Sequence, residues 1–398
     1  MNNTAIVVTI NKIEPIEGKD RIQLAKLFGT QVIVSKEVKK GDVMVYVDSN
    51  MKLSPNFLSN NNLYRHSELN TDKTKSGYFD DNGRVKCIKM SGVISDGFLF
   101  PIDYLKYTGE NLKDLKSGLE FNKLGSNEIC EKYVPKIKER NPNSGQKKQK
   151  NTVEIPSFVQ HFDTDQFMRN KYQIPAGSLC YIEAKIHGTS HRSGYLPIIE
   201  KLYGFRKILN KFFGAKFPKY DYVNGSRRVV MYNNNKYKPY HDNTMRDEVL
   251  EKVRGNLNKN EQIYLELYGY EKNGSQIQKG FPYGCAIGEY KSLLYRVTMN
   301  NEDGVVVDYS RDYVYNRAEE LGFEKPYLYE KYYYDGSEKS MEILEENIIN
   351  YSQGQFELAN DTLKEGVVVW FINEQGHWTC LKYKSDAFRN LESNNKDK

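Results

Sequence analysis

Short segments with alternating apolar and polar residues, separated by glycine turns, dominate the first 125 residues. The clearest segments are residues 4–10, 31–34, 43–47 and 85–90. Turns are indicated at residues 17–20 and 39–42. Side chains alternate between the two faces of a strand, so each segment can bury one face. Several short strands with little helical pattern predict an OB-like β-barrel or a small sandwich over residues 1–125.

The rest of the chain has a different pattern. Residues 126–154 are basic and polar, which predicts a linker; it is either a solvated spacer or an arm that touches phosphates. From 155 to 390, helices are predicted at 244–253 and 310–321. Strands are predicted at 229–232, 262–267, 304–307, 366–372 and 378–384. This mixture predicts an α+β domain of mostly antiparallel sheets, and residues 391–398 are expected to be a polar tail.

The bulk properties exclude several classes of protein. No apolar run approaches the roughly 20 residues that span a bilayer, and no secretory signal opens the chain, so we expect a cytoplasmic protein without a membrane partner. The five cysteines are scattered without a Cys-x-x-Cys pair, which favours buried thiols over a disulfide framework or zinc site. A net charge of +6 permits a polyanionic partner without requiring one.

The most informative stretch runs from Glu183 to Ser190 and reads Glu-Ala-Lys-Ile-His-Gly-Thr-Ser. A lysine beside a glycine that lets a nucleotide approach the backbone could attack the α-phosphate of a nucleoside triphosphate. Lys-x-x-Gly alone is weak evidence, since it recurs at lysines 26, 89, 201, 211 and 252. Lys185 differs by the ordered set that follows it: Arg227 after a serine, Glu266 in Tyr-Leu-Glu-Leu-Tyr-Gly, Tyr295, Glu365 before Gly-Val-Val-Val, and Lys382 and Lys384.

These residue types suit one kind of chemistry. A lysine amine is a nucleophile only after it loses its proton, which nearby positive charge favours. Lys382 and Lys384 are two apart on a predicted strand, so they share a face and could stand beside Lys185 and a phosphate. Each of these residues alone could have an ordinary structural role. Residues 303–307 read Asp-Gly-Val-Val-Val and so imitate the Glu-Gly-Val-Val-Val sequence at Glu365. No Lys-x-Lys strand follows that imitation.

The ordered set resembles the covalent nucleotidyltransferase superfamily of DNA ligases, RNA ligases and capping enzymes. Residues 185–189 and 265–269 look most like nick-sealing RNA ligases, and the lead-in at 155–170 is similar to theirs. Residues 84–89 and 92–98 resemble the N-terminal OB module of the fifth RNA ligase family. The resemblance covers residues 1–110 and 155–390.

The resemblance implies an ATP-grasp-like nucleotidyltransferase domain that uses ATP and Mg²⁺ or Mn²⁺. It implies RNA repair, in which an RNA 3′-hydroxyl is joined to a 5′-phosphate at a nick in a duplex through lysyl-AMP and an adenylylated 5′ end. We expect a monomer in the cytoplasm, or in the host cytoplasm if the protein is viral. The implied catalytic residues are Lys185, Glu365, Lys382 and Lys384.

The other implied roles divide among nucleotide, metal and RNA. Nucleotide contacts are expected from Glu183, Ile186, Gly188, Arg227, Glu266, Tyr295 and the two strand lysines. Glu266 and Glu365 are expected to bind the metal. Tyr295 is expected to stack on the purine, and Arg227 to clamp the phosphate of the acceptor end. RNA contacts are expected from Arg84, Lys86, Lys89 and Ser190.

The sequence departs from the family pattern in three places. His187 stands where the superfamily often has aspartate, Ala184 stands where some RNA ligases have glutamate, and residues 195–222 contain a basic-aromatic insertion. Capping enzymes and DNA ligases carry an OB domain after the Lys382 strand, but only 14 residues follow Lys384 here. A catalytically inactive, RNA-binding relative of the fold is the alternative from another functional class.

Overall fold

The chain folds into two compact units in a computed structural model that describes residues 4–135, 153–200, 219–232, 244–301 and 303–395. The first unit comprises the described residues 4–135 together with 384–395, and the second comprises 153–383. No helix in these described ranges is both long enough and apolar enough to cross a membrane.

The first unit is built almost entirely from short antiparallel strands. They are β1 (Ala5–Thr9), β2 (Lys12–Pro15), β3 (Ile22–Leu27), β4 (Thr30–Ser35), β5 (Val43–Val47), β6 (Met51–Leu53), β7 (Cys87–Met90), β8 (Val93–Asp96), β9 (Phe98–Pro101), β10 (Glu120–Phe121), β11 (Lys123–Leu124), β12 (Asn127–Glu128) and β13 (Cys130–Lys132). Helix α1 spans Pro55–Asn60, and 3₁₀ turns span Ser67–Leu69, Ile102–Thr108 and Leu112–Asp114. The predicted strands near 4–10, 31–34, 43–47 and 85–90 are confirmed, the last starting at Cys87.

Strands β1 and β5 explain how this unit holds together. They pair in the four-stranded sheet β10-β1-β5-β9, while β2, β3 and β4 form a second sheet. Val7 and Val45 pack with Phe57 and Phe100 in one core cluster. The side chains on the opposite faces of β1 and β5, such as Val8 and Met44, belong to a second cluster. Both strands are therefore buried on both faces, which their nearly continuous apolar sequences allow.

Within the described residues, the second unit contains two large facing sheets, a short two-stranded sheet and four helices. Its strands are β14 (Val153–Glu154), β15 (Asp165–Gln166), β16 (Ser178–Lys185), β17 (Thr189–Glu200), β18 (Lys219–Gly225), β19 (Val230–Met231), β20 (Glu261–Gly269), β21 (Tyr290–Asn300), β22 (Val306–Asp308), β23 (Leu328–Tyr334), β24 (Gln355–Phe356), β25 (Ala359–Leu363), β26 (Gly366–Ile372) and β27 (Trp378–Lys384). Its helices are α2 (Phe167–Asn170), α3 (Thr244–Val253), α4 (Arg311–Glu320) and α5 (Glu338–Ser352), with a 3₁₀ turn at Lys171–Gln173.

The two large sheets of this unit face each other. One has the strand order β19-β18-β17-β20-β21-β22, with β14 added beside β17, and the other has the order β15-β27-β26-β16-β23. The back of the first sheet packs on helices α3 and α4 through Val249, Leu265 and Val314. Its front contributes Tyr295 to a cluster with Trp370 of the second sheet. The helices thus cover one face of the first sheet and leave its other face to line a cleft.

Three expected boundaries differ from the structure. Residues 126–135 do not all belong to a linker, because β12 and β13 lie there in the first unit, and β14 begins at Val153; residues 136–152 lie outside the described ranges. The ends of the expected insertion at 195–222 belong to β17 and β18, and residues 201–218 are also outside the described ranges. The expected tail after residue 390 is helical up to Asn395.

That last segment is helix α6 (Asp386–Asn395), which belongs to the first unit. Its Phe388 is 1% exposed, and Arg389 donates to Asp96 at 2.9 Å. The Ser393 hydroxyl accepts the backbone N–H of Cys87 at 3.0 Å. The polar composition of 391–398 suggested a tail, but the helix buries Phe388 and Ser393 and pairs Arg389 with Asp96.

Candidate active site

Lys185 is the last residue of β16 and lies opposite Gly366 of β26. Two residues before Lys185, Glu183 pairs with Val368. Two residues before that, Tyr181 pairs with Trp370. Paired residues share a face, and side chains alternate along each strand. Tyr181 and Trp370 belong to the aromatic cluster between the sheets, so Lys185 projects from the same, cleft-facing side.

The ammonium of Lys185 forms an ion pair with Glu365, the residue that immediately precedes β26. Lys185 Nζ lies 2.9 Å from Glu365 Oε1, and the two side chains are 26% and 3% exposed. His187 Nδ1 lies 3.7 Å from the other carboxylate oxygen, Oε2. That oxygen is buried, and no described residue donates a hydrogen bond to it. A buried carboxylate oxygen without a donor is costly unless a ligand completes its environment.

Glu266 of β20 lies at the same site and holds the turn that follows the lysine. The backbone N–H of Gly188 donates to Glu266 Oε1 at 3.1 Å. A Cβ at position 188 would stand 2.3 Å from the carbonyl oxygen of Leu267, so only glycine allows this close approach. Burial raises the pKa of Glu266 to about 7, with the Glu365 charge adding to the shift and Lys185 opposing it.

This shift predicts a pH dependence of stability. The folded-state pKa of Glu266 exceeds its unfolded value of 4.5, so the wild type should lose stability as pH rises from about 4.5 to 7. Glu266→Gln carries no such proton and should show a flatter profile, with the stability difference between the proteins changing by about 1–2 kcal/mol. Urea denaturation of both proteins at pH 5 and pH 8 measures this. Parallel profiles would show that Glu266 ionises normally.

The donor set fits a hard divalent cation. Carboxylate oxygens are the ligands that Mg²⁺ and Mn²⁺ prefer, and Mg²⁺ sites often combine one or two carboxylates with phosphate oxygens of a substrate. Glu365 lies beside His187 and Glu266 accepts the N–H of the next residue, Gly188, so both carboxylates border the same turn. No cluster of three metal-ligating side chains occurs in the described ranges. Glu365 Oε2, which is buried and accepts no hydrogen bond from the described residues, is an oxygen suited to such a cation.

The two strand lysines are placed differently. Lys382 shares a strand face with Trp378 and Cys380, which belong to the aromatic cluster, so it projects on the same side as Lys185. Lys384 Nζ instead lies 2.7 Å from Glu392 of α6 and 5.1 Å from the centre of the Phe388 ring. Both of these partners belong to the first unit, as Lys384 does. The catalytic roles of Lys382 and Lys384 stay predictions.

Glu183, from which a nucleotide contact is expected, is bound by other side chains in the structure. Both oxygens of this carboxylate are occupied by Arg311, whose Nε and Nη2 donate at 2.8 and 2.7 Å. Tyr315 also donates to Oε1 at 2.6 Å, and Glu183 is only 2% exposed. Arg311 Nη1 donates to the carbonyl of Tyr295 at 2.6 Å, so the pair ties α4 to both sheets. Glu183 is a buried structural partner in this arrangement rather than a free acceptor.

Tyr295 and Arg227 both lie near the cleft. Tyr295 is the extra residue of a β-bulge, because Tyr264 pairs with Arg296 while the next residue pairs with Leu294. A bulge re-aims a side chain, and the Tyr295 ring lies 5.2 Å from that of His161. Arg227 forms an exposed ion pair with Asp163, which a phosphate could displace at little cost. Ile186 is buried, at 7% exposure.

The sequence did not point to His161, yet it belongs to this environment. Its ring packs on Phe162 at 4.3 Å, meets Tyr295 edge-on at 5.2 Å and lies 6.2 Å from Trp370. Burial lowers the pKa of His161 well below its usual value, and the charge of Arg296 lowers it further. The ring is therefore neutral at physiological pH. His161 lies within the lead-in at 155–170, but a histidine outside any motif gave no signal.

Comparisons with known proteins agree with this architecture. A family model described as an OB-fold domain matches residues 4–102. A mutant Naegleria gruberi RNA ligase without ligand superposes with a TM-score of 0.58 at 15% identity, covering 99% of this chain and 100% of that one. The same ligase with pyrophosphate gives 0.57 at 17% identity and covers all of both chains. A mutant with ATP and Mn gives 0.57 at 16% identity and covers 99% of both.

The chain has the fold of an RNA ligase. The expected α+β architecture, with an N-terminal OB domain and a ligase-like domain of antiparallel sheets and helices, is thereby confirmed. No curated protein sequence matches the chain. At 14–17% identity the structural likeness establishes the fold alone, so the chemistry rests on the residues of the cleft.

In the OB domain the expected RNA contacts divide into two groups. Arg84 is 2% exposed and donates to the Ser393 carbonyl at 2.8 Å, so it is a buried structural residue and the prediction of an RNA contact is wrong for it. Lys86 pairs with Asp80 at 2.9 Å and is 33% exposed, and Lys89 is exposed on β7. Ser190 lies in the ligase-like domain, opposite Glu266 on the neighbouring strand.

Proposed function

We propose that the protein is an ATP-dependent RNA ligase that joins an RNA 3′-hydroxyl to a 5′-phosphate. The observation that carries the proposal is the placement of Lys185 at the cleft edge, ion-paired to Glu365 and followed by a glycine that Glu266 holds. A structural lysine would need none of these surroundings. The neighbours of the same fold are RNA ligases whose structures include ATP, AMP, pyrophosphate and Mn.

The first step forms a covalent nucleotide. The Lys185 amine attacks the α-phosphorus of ATP, a P–N bond forms, the bond to the bridging oxygen breaks, and pyrophosphate leaves. Before attack the ammonium must lose a proton, and Glu365 Oε1, which lies 2.9 Å away, can accept it. The product is a lysyl-AMP phosphoramidate. The lack of a side chain at Gly188 lets the turn after Lys185 lie directly against the backbone of β20.

The remaining steps transfer and release AMP. A 5′-phosphate oxygen attacks the adenylate phosphorus, the P–N bond breaks, and a 5′-adenylylated end forms. The 3′-hydroxyl then attacks that 5′-phosphate, loses its proton, and AMP leaves as the sealing bond forms. A divalent cation held by Glu365 and Glu266 would supply charge neutralisation at the phosphates. Lys382 would add positive charge on the same side.

The substrate class follows from the OB domain and the resemblance to nick-sealing ligases. OB folds bind nucleic acid strands through charge and stacking across a strand face, and Lys86 and Lys89 are the candidate contacts of this domain. We propose a nicked duplex with an RNA 3′ end as the substrate, which makes the role one of RNA repair.

The test is the fate of labelled ATP. Wild-type protein incubated with Mg²⁺ or Mn²⁺ and ATP should retain label from the α-phosphate but none from the γ-phosphate. The labelled protein should then pass AMP to a nicked duplex and seal it without further ATP, and a nick with an RNA 3′ end should be sealed faster than one with a DNA 3′ end. Absence of α-label on the protein would refute the proposal. Equal sealing of both nicks would refute only the RNA preference.

A further inference from the structure

Three side chains from β20 and the loop after it bind the backbone of His187 and Gly188, the second and third residues after Lys185. Glu266 accepts the Gly188 N–H at 3.1 Å, and Gln278 Nε2 donates to the Gly188 carbonyl at 2.7 Å. The Tyr283 hydroxyl accepts the His187 N–H at 2.8 Å. The N–H groups of His187 and Gly188 and the carbonyl of Gly188 are therefore bound by side chains that lie far away in sequence.

Tyr283 is held in a conformation that tyrosine rarely adopts. Its φ is +51°, in the left-handed region, which for a bulky residue costs about 1–3 kcal/mol. The Tyr283 N–H donates to the buried Thr362 hydroxyl at 2.9 Å, and the side chain is 4% exposed. Such strain persists only where surrounding contacts impose it, and it concentrates at functional sites.

The surroundings of Tyr283 fix the direction of its hydroxyl. The ring faces those of Tyr268 and Phe356 nearly edge-on at 5.2 and 5.6 Å, and that of Phe281 at 6.2 Å. Phe281 also contacts the His187 ring at 4.9 Å. Burial raises the pKa of Tyr283 far above the working range, so the hydroxyl stays neutral. Within residues 278–283, Tyr283 is thus bound to His187 and Gln278 to Gly188. The Phe281 ring also packs on the His187 ring.

We propose that Tyr283, assisted by Gln278, is a positioning residue that sets the turn after Lys185 so that the amine meets the α-phosphorus in line. The inference rests on the proposed function, since it assigns a task within that reaction. The Tyr283 hydroxyl acts through the His187 N–H, and reaction rates are sensitive to displacements of about 1 Å in a nucleophile.

The steps of the reaction separate this role from a general contribution to folding. Formation of lysyl-AMP needs Lys185 in place, whereas sealing of a nick whose 5′ end is already adenylylated needs no new lysyl-AMP. A residue that positions Lys185 should therefore affect the first activity much more than the second. A residue that only supports the fold should affect both activities and the melting temperature together.

The experiment compares Tyr283→Phe with Tyr268→Phe in the full-length protein. Both substitutions remove one hydroxyl from neighbouring buried rings, but no hydrogen bond joins the Tyr268 hydroxyl to the turn. Label transfer from α-labelled ATP should slow about tenfold in Tyr283→Phe, as expected for a backbone N–H that loses its acceptor. Tyr268→Phe should stay within about twofold of wild type. Sealing of a pre-adenylylated nick should fall far less in Tyr283→Phe than label transfer does.

Gln278→Met provides a second variant, because its side chain is half-buried and the change removes only the donor to Gly188. It should slow label transfer by several-fold and spare pre-adenylylated sealing in the same way. Wild-type rates of label transfer in both Tyr283→Phe and Gln278→Met, or equal losses in both activities, would overturn the positioning role. A wild-type protein that takes up no label would overturn the proposed function, and this role with it.

Discussion

Lys185→Ala should abolish transfer of AMP to the protein, with a loss of about a thousandfold or more. The substitution removes the nitrogen that forms the P–N bond, and removal of a covalent nucleophile leaves only the weak contributions of binding and electrostatics. Gel analysis after incubation with α-labelled ATP measures the result directly. The variant should still fold, because the Lys185 side chain is 26% exposed at a strand end.

Lys252→Ala is the matched control for that experiment. Lys252 also begins a Lys-x-x-Gly sequence, but it lies on helix α3, where its Nζ donates to the Gly322 carbonyl and stands 4.4 Å from the centre of the Phe323 ring. Label transfer should persist in this variant. Full labelling of Lys185→Ala would show that another residue is the nucleophile and would remove the basis of the proposed mechanism.

Glu365→Gln should lower the rate of label transfer by about 10²–10³-fold while leaving the protein folded. The amide keeps the size of the side chain but removes the charge that pairs with Lys185 and that would bind a cation. Its Oε2 is buried without a donor, so neutralising it also removes a destabilising feature. We expect the free energy of unfolding to stay within about 1 kcal/mol of wild type.

Glu357→Gln is the control for the second prediction, since Glu357 also pairs with a lysine, Lys364, and accepts the Tyr329 hydroxyl at 2.8 Å. It should retain label transfer. Titration of Mn²⁺ followed by electron paramagnetic resonance should show weaker binding to Glu365→Gln in the presence of ATP. Unchanged Mn²⁺ binding by that variant would remove Glu365 from the metal site, even if activity fell.

The predicted site residues that the structure brings together are those that lie on or next to strands in a defined order. Lys185, Glu266 and Glu365 each border or lie within an apolar strand, and strand pairing brings them together whatever the intervening loops do. The imitation at residues 303–307 was excluded because no Lys-x-Lys strand follows it. Its Val305 and Val307 are 54% and 58% exposed, whereas Val367 and Val369 after Glu365 are fully buried.

The residues that sequence reasoning missed act across long separations or through backbone groups. Arg311 lies 128 positions from Glu183, and its occupation of that carboxylate leaves no trace in a local motif. Tyr283 lies 96 positions from His187 and is bound to a peptide N–H, which every residue possesses. Arg84 was expected on a charged surface, and its local sequence gives no sign of burial. Helix α6, which covers it, comes about 300 residues later.

Helix α6 follows the ligase-like domain in sequence but belongs to the OB domain. The ligase-like domain is therefore inserted between two parts of the OB domain. A fragment ending near residue 135 would lack the aromatic and serine contacts that Phe388 and Ser393 provide. A fragment beginning near 153 would carry an orphaned helix with an apolar stripe, prone to self-association. Studying either domain alone therefore calls for circular permutation or co-expression of split pieces, rather than truncation at a single cut.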